Sequence, residues 1–228
     1  VLRASQLSSF TSTMLPAGSK SLSYSPFGIF VNGSDVITFT VDVGEATGIR
    51  ARIEPVADLG APTPGLPVNP VGLAFTPDLV FQDINGVVCL LHKNSQSIFR
   101  WSPTSQQFLT TIPLIGIPSY AAYSPSMHRV YLAYASGLVR KIDLSDTSLT
   151  EVPFYMLPSA PLGLATAGQY LFAVDESGAW NTHYTVSPEG QLVDSVDWNY
   201  YSAGFTWSDT NQKMYFFRDD TSPNDILW

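Results

Sequence analysis

The sequence has few charged residues, and basic residues are the scarcer kind. Only 13% of its 228 residues are charged, and 11 basic residues are outnumbered by 19 acidic ones, which gives a formal net charge of −8 at pH 7. Nucleic acids and anionic membranes are bound by clustered Lys and Arg side chains, whereas here only Arg140 and Lys141 are adjacent. No apolar run approaches the roughly 18 residues of a membrane-spanning helix. We therefore expect no nucleic-acid partner and no membrane insertion.

Cysteine is almost absent, and residues that break helices are frequent. Cys89 is the single cysteine, so an internal disulfide and a Cys-x-x-Cys metal site are excluded. Its apolar surroundings at 87–91 predict a small buried hydrophobic residue. The chain also contains 16 Gly and 17 Pro, too many for a helical bundle, while 45% hydrophobic residues are enough for a core.

A repeat of about 42 residues runs through most of the chain. An apolar segment, a polar turn and a second apolar segment recur four times, and the equivalent residues Val88, Val130, Leu171 and Met214 are 42, 41 and 43 positions apart. One unit contains four short strand-like runs separated by turn residues, at 119–123, 129–134, 138–144 and 149–154. Four strands at this period are typical of a blade of a β-propeller. An antiparallel sandwich is the alternative, but it does not explain the constant period.

The second unit resembles the YVTN/NHL class of bacterial β-propeller repeats, which are similar to WD40 repeats. Arg129–Tyr134 followed by Gly137–Leu144 has the apolar-Tyr-apolar strand, the turn and the Ile-Asp-Leu strand of that class. The resemblance covers about residues 72–228. It implies an all-β fold, a propeller of four-stranded antiparallel blades.

The first 70 residues allow two interpretations. In the first, residues 1–228 form one propeller, most simply with five blades, in which 1–16 complete the last blade; a fragment of a larger ring would have six or seven. In the second, 20–60 resemble a bacterial immunoglobulin-like repeat. Residues 1–60 are then a partial immunoglobulin-like segment, 61–70 a proline-rich linker and 71–228 the blades.

The candidate ligand-binding residues lie in loops of the later repeats. Asp175 follows the second strand of its unit, where the loop to the third strand opens on one face of a propeller. Trp198, Tyr200 and Tyr201 precede the last unit, and such aromatic side chains with polar tips suit sugars or proteins. We predict that these four residues contact a ligand.

Calcium is the one cofactor that the sequence suggests. Asp219, Asp220 and Asp225 lie within seven residues of one another, and Ca²⁺ prefers several oxygen ligands. Turn formation is the alternative explanation for this acidic segment. The histidines occupy different positions in their repeats and so do not converge on a metal; we expect a surface or rim position for each of them, His92, His128 and His183.

These patterns predict a recognition or scaffold propeller rather than an enzyme. We expect it to belong to an exported bacterial protein, at an extracellular, cell-surface or periplasmic location, with a protein or glycan partner. One alternative is a carbohydrate-active enzyme resembling propeller glycosidases, with catalytic carboxylates in the same loops. Another is a purely structural repeat of a large surface protein.

Overall fold

The described part of the chain is built from β-strands and turns. The computed structural model describes residues 26–42, 48–55, 65–68, 75–179, 181–198, 204–208, 210–217 and 226–227. These residues form twenty strands, grouped in five antiparallel sheets, and no helix. None of the described segments is a helix long and apolar enough to cross a membrane. Residues 14–114 belong to one compact unit and residues 115–228 to another.

Residues 14–114 contain two sheets. The first has the order β1-β2-β3-β4, with β1 (Gly28–Asn32), β2 (Asp35–Asp42), β3 (Gly48–Pro55) and β4 (Leu66–Pro67). The second has the order β5-β6-β7-β8, with β5 (Leu79–Gln82), β6 (Val88–His92), β7 (Ser97–Ser102) and β8 (Gln107–Phe108), and β9 (Ile112–Pro113) also pairs with β7.

One hydrophobic core joins these two sheets. Ile37 and Phe39 from β2 pack in one cluster with Leu90 from β6 and Trp101 from β7, and each of these side chains is almost fully buried. The rings of Phe39 and Trp101 meet edge to face at 5.6 Å. Aromatic and β-branched residues at alternate positions favour strands with this packing.

Residues 115–228 contain three sheets of consecutive strands. The first consists of β10 (Tyr120–Ser124), β11 (Arg129–Ala133), β12 (Leu138–Asp143) and β13 (Glu151–Met156). The second consists of β14 (Pro161–Ala167), β15 (Tyr170–Asp175), β16 (Asn181–Val186) and β17 (Leu192–Trp198). The third consists of β18 (Gly204–Ser208), β19 (Lys213–Phe217) and β20 (Ile226–Leu227). Tyr131, Leu171 and Tyr184 belong to the core cluster between the first two sheets.

The predicted repeat is confirmed by the sheet topology. Val88, Val130, Leu171 and Met214 each lie in the second strand of a sheet, next to the turn that joins it to the first strand. Each of the last three sheets starts a new unit of consecutive antiparallel strands, as the period of about 42 residues predicts.

The first sheet bears on the two interpretations of the N-terminal region. Strands β1 to β4 are consecutive and antiparallel, which is the order of the predicted blades, and β4 falls within 61–70, the segment that the alternative treats as a linker. Residues 1–16, which were predicted to complete the last blade, lie outside the described residues. The division of the chain into domains stays a prediction.

Candidate recognition surfaces

Asp175 is the only predicted ligand-binding residue whose side chain the structure describes. It ends β15 and is fully buried, whereas the sequence suggested an exposed loop position. Its carboxylate accepts hydrogen bonds from the Ser159 N–H at 2.9 Å, the Ser177 N–H at 3.0 Å and the Ser177 hydroxyl. An aspartate at a turn satisfies backbone donors in this way. Its contact with a ligand stays a prediction.

These bonds, together with two backbone bonds, connect three segments into one layer, which we call the loop platform (residues 134–137, 157–160 and 175–179). The Leu157 N–H donates to the Gly137 carbonyl at 2.9 Å, and the Glu176 N–H donates to the Ala160 carbonyl at 3.1 Å. Gly137 has a φ of +85°, and a Cβ there would lie 2.6 Å from the Leu157 carbonyl oxygen. Only glycine therefore allows this close approach.

Neutral phenols and exposed side chains border the loop platform. The Tyr184 and Ser177 hydroxyls are 2.7 Å apart, and the rings of Tyr155 and Tyr184 are 6.4 Å apart. Burial raises the pKa of both tyrosines, so they are uncharged at neutral pH. Met156 adjoins the platform and is 58% exposed, and Glu176 is exposed as well. The platform thus offers an apolar contact at Met156 and negative charge at Glu176, while the Tyr184 hydroxyl is bonded to Ser177 beneath them.

The side chains of the remaining predicted site residues lie outside the described part of the structure. Trp198 ends β17, where its backbone pairs with Asn181, but its side chain lies outside the described part. The rest of the predicted set also lies outside the described residues: Tyr200, Tyr201, Asp219, Asp220 and Asp225. Among the side chains that are described, no three His, Cys, Asp or Glu are grouped to hold a metal.

Sequence reasoning missed a buried acid-base network in the β10–β13 sheet. Glu151 is 6% exposed and accepts hydrogen bonds from the Tyr134 hydroxyl at 2.6 Å and the Ile115 N–H at 3.1 Å. The Arg140 Nε lies 3.1 Å from the same carboxylate. Burial, followed by the bond to Glu151, raises the pKa of Tyr134. Nothing in the spacing of these residues distinguishes them from ordinary surface residues of strands.

The expectation that the histidines lie at the surface or rim is wrong for two of them. His128 and His183 are each 5% exposed. The His183 ring stacks on Phe216 at 5.1 Å and meets Phe172 edge to face at 5.3 Å, and burial lowers its pKa to about 4. The phenylalanines come from a neighbouring strand and a neighbouring sheet, which the local sequence around His183 does not reveal.

A polar cleft lies between two hairpin turns of the other compact unit. We call it the turn cleft; it has a volume of about 370 Å³ and is lined by residues 31–33 and 82–86. Asn32, Gln82 and Asn85 contribute carboxamide groups, while Val31 and Ile84 are more than half exposed. The dipeptides Asn32-Gly33 and Asn85-Gly86 mark both turns in the sequence, but they do not show that the turns are neighbours.

Comparison with known proteins identifies the fold. No family model and no curated protein matches this sequence. A streptogramin B lyase structure is similar to this chain at 14% sequence identity and a TM-score of 0.56; the alignment covers 91% of this chain and 70% of the lyase chain. For a hydrazine synthase from Kuenenia stuttgartiensis, the alignment covers 91% of this chain and 60% of the synthase chain, at 14% identity and a TM-score of 0.58. For BBS1N, solved in a complex with ARL6DN, the alignment covers 85% of this chain and 60% of the BBS1N chain, at 14% identity and a TM-score of 0.54.

The chain is a β-propeller. The matched structures share this fold, and the four-stranded antiparallel sheets are its blades. At 14% identity the likeness shows the fold alone, and the chain spans 60–70% of the three matched chains. Membership of the β-propeller in the YVTN/NHL class and the total of five blades stay predictions.

Proposed function

We propose that this β-propeller is a non-enzymatic recognition module or scaffold that binds a protein or glycan on its loop platform. Trp198, Tyr200 and Tyr201 extend the proposed binding surface. The observation that supports the proposal is the bonding of residues 134–137, 157–160 and 175–179 into one layer. A surface that is ordered before binding loses less conformational entropy when the ligand arrives.

The burial of Asp175 favours binding over catalysis. A glycosidase needs two carboxyl groups that flank the scissile bond. Asp175 is fully buried, and its oxygens already accept bonds from two backbone amides. Calcium, held by Asp219, Asp220 and Asp225, is the one cofactor we propose.

The proposed partner and location follow from the surface and the composition. BBS1N is a propeller that has been solved in a complex with ARL6DN, which supports a protein partner; a glycan partner is proposed from the aromatic residues of the sequence alone. The exposed Met156 supplies apolar contact area, and a net charge of −8 favours a neutral or basic partner over an acidic one. We place the protein outside the cytoplasm of a bacterium, as an exported, surface or periplasmic component.

A binding screen with matched variants tests this proposal. The chain is applied to a glycan array and used as bait against a displayed random-peptide library, which separates the two partner classes. For the ligand selected, we expect Met156→Ala, Trp198→Ala and Tyr201→Ala each to weaken affinity about tenfold or more, as loss of an interface anchor does. Leu109→Ala, at an exposed position in the other compact unit, is the control. Unchanged affinity in all three variants would contradict the proposal.

A further inference from the structure

We propose that the turn cleft is a second binding site, which takes one neutral sugar residue. It lies in the compact unit formed by residues 14–114, whereas the loop platform lies in the unit of residues 115–228. This inference goes beyond the proposed function and does not depend on it. Three features of the cleft support it: the fixed conformation of the two turns, the carboxamide side chains around the cleft and the charge of the lining.

The turn between β5 and β6 is fixed by hydrogen bonds of its own side chains, and the turn between β1 and β2 by the conformation of a glycine. In the turn between β5 and β6, one Asp83 oxygen accepts the Asn85 N–H at 2.8 Å and the Val87 N–H at 2.9 Å. The Gln82 carboxamide donates to the Gly86 carbonyl at 3.2 Å. The turn between β1 and β2 has two residues and begins with Gly33 at a φ of +61°, where a type II′ turn requires glycine. The cleft is therefore formed before any ligand arrives.

The polar groups that line the cleft match hydroxyl groups. A carboxamide presents a donor and an acceptor side by side, and each sugar hydroxyl both donates and accepts. The carboxamides of Asn32, which is half-buried, and Asn85, which is exposed, both line the cleft, where they can bond the hydroxyls of a ligand. Val31 and Ile84, 61% and 63% exposed, supply apolar contacts for the C–H groups of a sugar ring.

Charge and shape disfavour two other ligand classes. Asp83 is the only ionisable residue in the lining, so the cleft has no cationic side chain to bind phosphates, sulfates or acidic sugars. An extended peptide binds by adding to a free strand edge, but the cleft lies between hairpin ends, where β1 pairs with β2 and β5 pairs with β6. The cleft has a volume of about 370 Å³ and is open to solvent, which suits one sugar residue held at the surface rather than an enclosed ligand.

Nuclear magnetic resonance of the ¹⁵N-labelled chain tests the proposal directly. The probes are the methyl glycosides of glucose, galactose, mannose and N-acetylglucosamine, titrated to millimolar concentrations. We expect at least one of them to shift the side-chain amide signals of Asn32 and Asn85 in a saturable way. Asn85→Ala and Asn32→Ala should each weaken that affinity about tenfold, whereas Asn94→Ala, an exposed asparagine in the turn between β6 and β7, should leave it unchanged.

Three results would overturn the inference. The first is no saturable shift at Asn32 or Asn85 with any neutral glycoside. The second is an equal response in wild type, Asn32→Ala and Asn85→Ala, each shown by circular dichroism to be folded. The third is tighter binding of sialic acid than of every neutral glycoside, because the lining would then not select against anions. Shifts confined to residues 134–137, 157–160 and 175–179 would support the loop platform and contradict the turn cleft.

Discussion

The buried Asp175 carboxylate connects the segment that precedes β14 to the turn that follows β15. It accepts the backbone N–H groups of Ser159 and Ser177 in a fully buried position. Asp175→Ala leaves both donors without a partner, and we expect a loss of about 3 kcal/mol in the free energy of unfolding. Urea denaturation measures this loss. Asp146→Ala removes a similar bond, to the Ser148 N–H, at an exposed turn; an equal loss there would contradict the role of burial.

His183 makes the stability of the last two blades depend on pH. Burial lowers its pKa to about 4 from an ordinary value of 6.5, so between these values the unfolded chain binds a proton that the folded chain does not. The stabilisation is complete above pH 6.5 and is lost as the pH falls towards 4. We therefore expect His183→Phe to reduce the difference in unfolding free energy between pH 7 and pH 4.

The control for this prediction separates titration from packing. Val130→Ala removes buried volume in another sheet and introduces no titratable group. It should lower stability by a similar amount at both pH values and keep the wild-type pH dependence. A His183→Phe variant with an unchanged dependence would show that other groups cause it.

At the scale of elements, a glycine sets the distance between two blades. Gly163 lies in β14, and a Cβ at this position would overlap the ring of Phe205 from β18. Gly163→Ala should therefore cost about 2 kcal/mol of stability, as overpacking does. Phe205→Leu should restore part of that loss in the double variant.

A matched glycine tests the steric explanation. At Gly116 a Cβ would meet the Tyr134 ring at 3.5 Å, which is ordinary contact. Gly116→Ala should change the denaturation midpoint little. An equal loss of stability in both alanine variants would contradict the steric role of the Phe205 ring. Backbone entropy would not explain such a loss, because alanine reduces the conformational entropy of the unfolded chain and so favours the folded state.

The strands were predictable from sequence, whereas the environments of individual polar residues were not. The spacing of Val88, Val130, Leu171 and Met214 predicted four second strands correctly, because apolar alternation and turn residues are local signals. The burial of Asp175 and His183 depends on Ser159 and Phe216, residues from a preceding segment and a following blade. Such partners are brought together only by the packing of blades, which leaves no local pattern.

The turn cleft shows the same limit for a candidate site. Asn32 and Asn85 each signal a turn, but they are 53 positions apart and become neighbours only when two blades pack together. Trp198, Tyr200 and Tyr201 were recognisable as a cluster because they are adjacent in sequence. Sequence patterns therefore suggest candidate sites within one segment, but not candidate sites assembled from two.

At the scale of the whole molecule, the net charge of −8 predicts a dependence of stability on salt. Repulsion among acidic groups destabilises the compact state, and salt screens it. We expect the melting temperature to rise from low to physiological ionic strength, equally with sodium and potassium chloride. An unchanged melting temperature would contradict a role for net repulsion.

Calcium at matched ionic strength separates this screening from the predicted ion site. Screening depends on ionic strength alone. At equal ionic strength, calcium chloride therefore stabilises the fold more than sodium chloride only if calcium binds to the protein. At about 100 times its dissociation constant a bound ion adds about 2.7 kcal/mol, which EDTA should remove. Asp219→Asn combined with Asp225→Asn should abolish that calcium-specific increment and retain the rise with sodium chloride. If the calcium-specific stabilisation survives the double substitution, the ion binds elsewhere. If calcium adds no stabilisation to the wild type, the acidic segment serves turn formation instead.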